Sequence, residues 1–164
     1  MNFIYKNAEN LILIGEDWVN RLAQEAPQSP RQISRLLAHT SPDQKVQEML
    51  IAFTDKCWIK PNRSIGRSET LIVLRGEVRV IFFDEGGRAE RHIDFAPLGG
   101  GKPAYYRLSS APWHTMTALS PVAVVHEILE GPFMASQDPP PPWMPQSEEA
   151  LREFVQKAGQ PQAA

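Results

Sequence analysis

The chain has 164 residues, enough for one domain with a continuous core. Apolar residues make up 42% and charged residues 22%, a globular balance that argues against disorder. Lys and Arg number 17 against 19 Asp and Glu; the net charge of −2, with no basic stripe, speaks against nucleic acid or an anionic membrane as partner. Cys57 is the single cysteine, so an internal disulfide is ruled out and a reducing compartment is expected. It reads as a small buried side chain. The opening MNFIYKNAENLILIG lacks the basic start, apolar run and cleavage site of a secretory leader. No stretch approaches the ~18 apolar residues of a membrane span. The expected location is the cytoplasm.

In chain order, EDWVNRLAQEA at 16–26 spaces Trp18, Val19, Leu22 and Ala26 as a helix does, and Pro27 and Pro30 stop it. SPRQISRLLAH then leads into something different. From about residue 45 the period falls to two. KVQEMLIAF reads as a strand covered on both faces at its apolar end. SETLIVLRG puts Glu69, Leu71 and Val73 on one face, and Gly76 ends it. EVRVIFFD follows with Val78, Val80 and Phe82 together; Glu85, Gly86 and Gly87 make a hairpin; RAERHIDF returns with Ile93 and Phe95 inward.

Gly99–Gly101 and Lys102 only superficially resemble a phosphate loop, lacking its spacing and strand-to-helix context. They read as a flexible loop able to edge a pocket. YYRL, HTMTAL and VAVVHEIL complete a series of short strands with no crossover helices between them, which predicts a mainly β chain: a small antiparallel barrel or sandwich. Pro139–Pro142 should run as extended polyproline. SEEALREFVQKAG ends the chain as a helix capped by Ser147, stopped at Gly159 and packed on the barrel. The expected organisation is one domain: residues 1–44 a helix and lead-in, 45–133 the barrel, 134–164 the proline-rich segment and C-terminal helix.

The segments at 60–76 and 108–119 resemble the cupin superfamily. Glu69 and Gly76 hold the places of the cupin glutamate and the glycine after it, and Pro112-Trp113-His114 the later Pro-x-His element. The chain also resembles the WbuC-type cupin-fold family over roughly residues 29–146. Arg35, His39, SETLIVLRG, FFDEGG, WHTMTAL, EGPF, Trp143 and Pro145 carry that likeness together. The resemblance implies a cupin double-stranded β-helix and a metal site in its interior. Residues two apart on a strand share a face, so positions 62 and 64 should look inward beside Glu69 and His114.

In this chain Asn62 and Ser64 stand where the pattern has paired histidines. An amide oxygen and a hydroxyl are weak donors to a borderline metal. Losing two imidazoles should remove several of the ~10–16 kcal/mol that a good zinc site supplies. No cofactor is therefore expected, and a divalent metal would not be held tightly unless His39 or His126 substituted. The expected pocket is Asn62, Ser64, Glu69, His114, Trp113, His39 and His126, with Glu69 and His114 as an acid–base pair. Trp58, Trp113 and Trp143 read as core or rim, with stacking on a sugar ring as the alternative.

The preferred reading is a small-molecule-binding cupin. The resemblance implies a sugar or sugar-nucleotide ligand linked to surface polysaccharide. The alternatives are a metal-dependent isomerase, epimerase or oxygenase using Glu69 and His114, and a non-catalytic dimeric structural or regulatory cupin. A homodimer is expected, because Phe3, Ile4, Leu11, Ile12, Leu13 and Ile14 need cover, with that segment or a barrel sheet at the interface; the alternative is that the same residues close the barrel's own edge.

Overall fold

Alternation of apolar and polar residues becomes strand pairing nearly everywhere the sequence shows it. A computed structural model describes residues 3–110, 112–133 and 139–160. The elements in chain order are β1 (Phe3–Lys6), α1 (Glu16–Glu25), β2 (Ile33–Leu37), β3 (Val46–Thr54), β4 (Glu69–Arg75), β5 (Val78–Phe83), β6 (Ala89–Phe95), β7 (Tyr105–Leu108), β8 (His114–Ala118), β9 (Val122–Glu130) and α2 (Glu148–Ala158). Residues 1–2, Ala111, 134–138 and 161–164, which belong to segments read above, lie outside the described residues. No helix among the described residues is long and apolar enough to cross a membrane.

A six-stranded sheet in the order β1-β2-β3-β9-β4-β7 faces a three-stranded sheet in the order β6-β5-β8. Asn62 adds an isolated antiparallel bridge to His114 at the free edge of β8. From β3 onward the chain crosses back and forth between the sheets: β3 and β4 lie in the large sheet, β5 and β6 in the small one, then β7 in the large, β8 in the small and β9 in the large, a two-sheet arrangement of the jelly-roll kind. The chain is thus a mainly β sandwich of two sheets with its helices near the ends.

One expectation needs correction, and one pairing lies outside the expected barrel. Every pairing from β3 onward is antiparallel as expected, while ahead of it β1 runs parallel to β2. Parallel neighbours need a crossover connection, and α1 supplies it. The segment before residue 45 therefore extends the large sheet as well as packing against it. The proline run fails to stay extended. The Met144 N–H donates to the Pro141 carbonyl at 3.0 Å, closing a turn. That turn brings Trp143 back onto the sandwich, where its ring centroid lies 5.3 Å from that of Phe83.

The main core lies between the sheets, where Ile51, Phe53, Leu71, Val73, Val80 and Val125 meet. Each such side chain contributes about 1.5–3 kcal/mol through burial. The outer face of the large sheet carries Leu36, Leu50, Ala52 and Val124, covered by Leu22 and Ala26. That double cover explains the continuous apolar run at the end of β3. The helix α2 lays Leu151 and Val155 on Trp58, and Phe154 on Phe83. Its cap is the one the sequence suggested: Ser147 Oγ accepts from the Ala150 N–H at 3.2 Å.

Gly76 makes the tight turn from β4 to β5 at φ +71. A Cβ there would lie 2.4 Å from both Ser120 Oγ and the Val122 carbonyl oxygen, so only glycine fits. The return to β6 turns at Gly87, φ +86, where Asp84 Oδ1 accepts from the Gly86 and Arg88 N–H groups, each at 2.9 Å.

Candidate functional site

Glu69 opens β4 on its inward face, and β8 begins at His114 across the sandwich. The two side chains meet: His114 Nε2 lies 3.0 Å from Glu69 Oε1. Tyr106 on β7 donates its hydroxyl to the same oxygen at 2.5 Å. His114 Nδ1 lies 2.9 Å from the Pro112 carbonyl oxygen, which can only accept, so Nδ1 carries a proton. An ionised Glu69 then requires a proton on Nε2 as well, and the pair is imidazolium and carboxylate.

Burial opposes both charges, yet the pair prevails. Burial pushes the Glu69 carboxyl up, but hydrogen bonding and attraction from His114, with help from Tyr106, hold it below its ordinary range. Burial likewise pulls His114 down, while Glu69 and the Pro112 carbonyl raise it above the ordinary histidine value. Burial and the nearby Glu69 charge push the Tyr106 phenol up, so it stays a donor. The side chains of His114 and Glu69 are only 3% and 2% exposed.

A cavity of about 520 Å³ opens between the sheets, and neither Glu69 nor His114 is on its wall. Asn62 and His39 line it, as the sequence suggested, and so do Arg35 and Glu127. The other expected pocket residues lie elsewhere. Asn62 touches the small sheet only as a bridge; the chain then turns at 65–66, so Ser64 is buried off the cavity and not beside Asn62 on one strand. Trp113 faces outward from the small sheet, packed with Ile81 and Phe83 and under the Arg63 guanidinium, 4.2 Å from the ring centroid. His126 alternates with Glu127 on β9 and so takes the opposite face of the sheet. No tryptophan lines the cavity, and neither does the Gly99–Lys102 loop, whose lysine pairs with Glu77 at 2.6 Å.

Arg35 and Glu127 were not among the site residues expected from sequence. Period-two alternation carried the signal. Glu127 falls in the inward series Val125, Glu127, Leu129, and Arg35 in the series Ile33, Arg35, Leu37. A charged residue in an apolar inward series calls for a partner or a ligand. Burial, and then the Glu69 charge, push the Glu127 carboxyl up to about 7, against the pull of Arg35 and His114. Burial pulls the Arg35 guanidinium below its ordinary value, with Glu127 opposing.

The donor set fits a metal poorly. Among the described residues no three His, Cys, Asp or Glu side chains come together as ligands could. His39 Nδ1 is engaged by the Glu48 N–H at 3.1 Å, and His126 lies on the other face. Glu69 already spends one oxygen on His114 and Tyr106.

A likeness to a solved structure supports the two-sheet β fold. A protein from Shewanella oneidensis of known structure matches with a TM-score of 0.56 and 11% identity, over 77% of this chain and 86% of its own. A cupin superfamily protein from Desulfitobacterium hafniense matches with a TM-score of 0.48 and 18% identity, over 62% and 80%. KdgF from a Halomonas species gives 0.47 and 16%, over 66% and 86%. No curated protein matches the sequence. A family model described as "Domain of unknown function (DUF6016)" matches residues 14–95, half of the chain, and the protein belongs to that family.

Proposed function

We propose that the protein is a small-molecule-binding cupin whose ligand enters the cavity between the sheets and is held without a metal ion. What supports this is a cavity of about 520 Å³ with apolar walls and two groups on them, Arg35 and Glu127, that attract each other but make no hydrogen bond or ion-pair contact with any described residue. Sites for small ligands have this size and this mix of apolar wall and few polar groups. The sealed ion pair of Glu69 and His114 acts behind the wall, ordering the strands and setting the charge felt by Glu127. A metal-dependent enzyme would need a further ligand beside Glu69 and His114.

The resemblance to the WbuC-type family favours a sugar or sugar nucleotide as ligand. With no tryptophan on the wall, such a ligand would be held through polar groups instead of ring stacking. Thermal-shift and calorimetric screening of sugar nucleotides, free hexoses and small acids should find a ligand that stabilises the protein. Leu37→Trp and Thr40→Trp, which fill the cavity from its wall and rim, should remove that effect. A ligand that stabilises both variants as well as the parent, or that binds only until a chelator is added, would sink the reading.

The same reading includes a homodimer. Leu11 and Leu13, in the segment between the edge strand β1 and α1, are 72% and 78% exposed, a surface that a second copy can cover. Light scattering at micromolar concentration should give about twice the 18.4 kDa of one chain; a single-chain mass refutes it.

A further inference from the structure

The cavity wall carries a guanidinium that Glu127 attracts but that no hydrogen bond or ion-pair contact from a described residue satisfies. Arg35 makes no hydrogen bond or ion pair with any described residue, and its Nε is shut off from solvent. A guanidinium cannot shed its proton, so this unpaired charge stays and is costly to keep. Lys6 adds a second cation at the wall. Glu127 is the one carboxylate among the described residues lining the cavity, and it accepts no hydrogen bond from any of them. The charged or titratable groups acting on it are Arg35 from β2, Glu69 from β4, Tyr106 from β7 and His114 from β8.

We propose that the cavity takes a small organic acid, its carboxylate paired with the Arg35 guanidinium and in contact with the Glu127 carboxyl group on the same wall. The inference rests on the cavity being the ligand site and names the class of ligand. The planar fork of arginine matches a carboxylate, and removal from water strengthens the pair. Met49, Ile51 and Leu129 offer the acid's body an apolar wall. A guanidinium set in such apolar walls, with Lys6 the other cation and exposed to solvent, suits a monoanion with an apolar body better than a strongly hydrated phosphate. Glu127 supplies the second contact. Since it titrates at about 7, it is partly protonated near neutrality. An anion on Arg35 favours the protonated form further, so binding takes up a proton and weakens as pH rises.

Hexanoate and benzoate, hexanamide and benzamide, and inorganic phosphate serve as probes in isothermal titration at about pH 6 and about pH 9. The acids should bind at least about tenfold tighter than their amides at the lower pH, with proton uptake. Their affinity should fall by more than about tenfold at the higher pH. Arg35→Met, which keeps much of the aliphatic stem, should abolish the preference for acid over amide; Arg35→Lys should keep part of it. Glu127→Gln should hold acid affinity nearly level across the same pH range, because its amide donates at every pH. Equal binding of acids and amides, or a preference that survives Arg35→Met, overturns the inference and leaves the cavity reading standing. Binding unchanged by Leu37→Trp and Thr40→Trp overturns both. Phosphate binding tighter than the acids, or no binding by any acid, overturns the inference alone, since sugar ligands still test the cavity.

Discussion

Glu69→Leu is expected to destabilise the fold by about 3–5 kcal/mol, the loss typical when one partner of a buried ion pair is removed. The substitution strips His114 of its counter-charge and leaves the Tyr106 hydroxyl without its acceptor, both in the sealed interior. Glu69→Gln keeps the shape and an acceptor, so its cost should be nearer 1–3 kcal/mol, about that of a hydrogen bond made to a charge. In that variant the His114 pKa should fall, since the chief force raising it against burial is Glu69. Urea titration gives the stabilities and NMR titration of the ring gives the pKa. A loss below about 1 kcal/mol for Glu69→Leu, or an unmoved His114, would show that the pair contributes nothing to the fold.

The sign of the pair's pH dependence follows from the two directions. Glu69 sits below its ordinary 4.5, so its contribution is present above that pH and fades as pH falls through its lower folded value. His114 sits above its ordinary 6.5, so its contribution is complete below that pH and fades as pH rises through its higher folded value. Between those two ordinary values the pair acts in full.

Glu127→Gln should make the protein more stable than the parent at alkaline pH and change it little in acid. The Glu127 carboxyl is raised from 4.5 to about 7, so the folded state prefers its neutral form. That contribution is complete below 4.5 and is lost as pH rises through about 7, when a half-buried carboxylate must form. A shift of this size corresponds to roughly 3 kcal/mol at most, and the partial exposure of Glu127 reduces it to about 1–3 kcal/mol. Urea unfolding of parent and variant at about pH 5 and about pH 9 isolates the effect, because other groups titrate alike in both. Parallel stability profiles across that range would mean that Glu127 does not titrate as described.

Much of this was written in local pattern. Period-two alternation gave β3 to β9, and Ser147 and the prolines marked the helix ends. Glycine marked the two tight turns. These signals are local because a strand's side-chain period and a turn's φ are properties of a few neighbouring residues. The likeness carried by Glu69 and Pro112-Trp113-His114 also named residues that meet in space.

Partnership across the sequence was not legible. β1 joins β2 in parallel only because α1 carries the chain back, and nothing in FIYK states which neighbour it will take. Spacing put Asn62 and Ser64 on one strand, but the chain leaves the sheet after a single bridge. Trp113 and His126 follow alternation faithfully, yet which face counts as inside depends on where the second sheet and α1 pack. Glu69 and His114 close on each other and on Tyr106, while Arg35 and Glu127, contributed by different strands, are left to face the open space. Sequence set the residue types and their periods; tertiary packing chose the cavity wall, because solvent access and charge pairing exist only once distant strands have met.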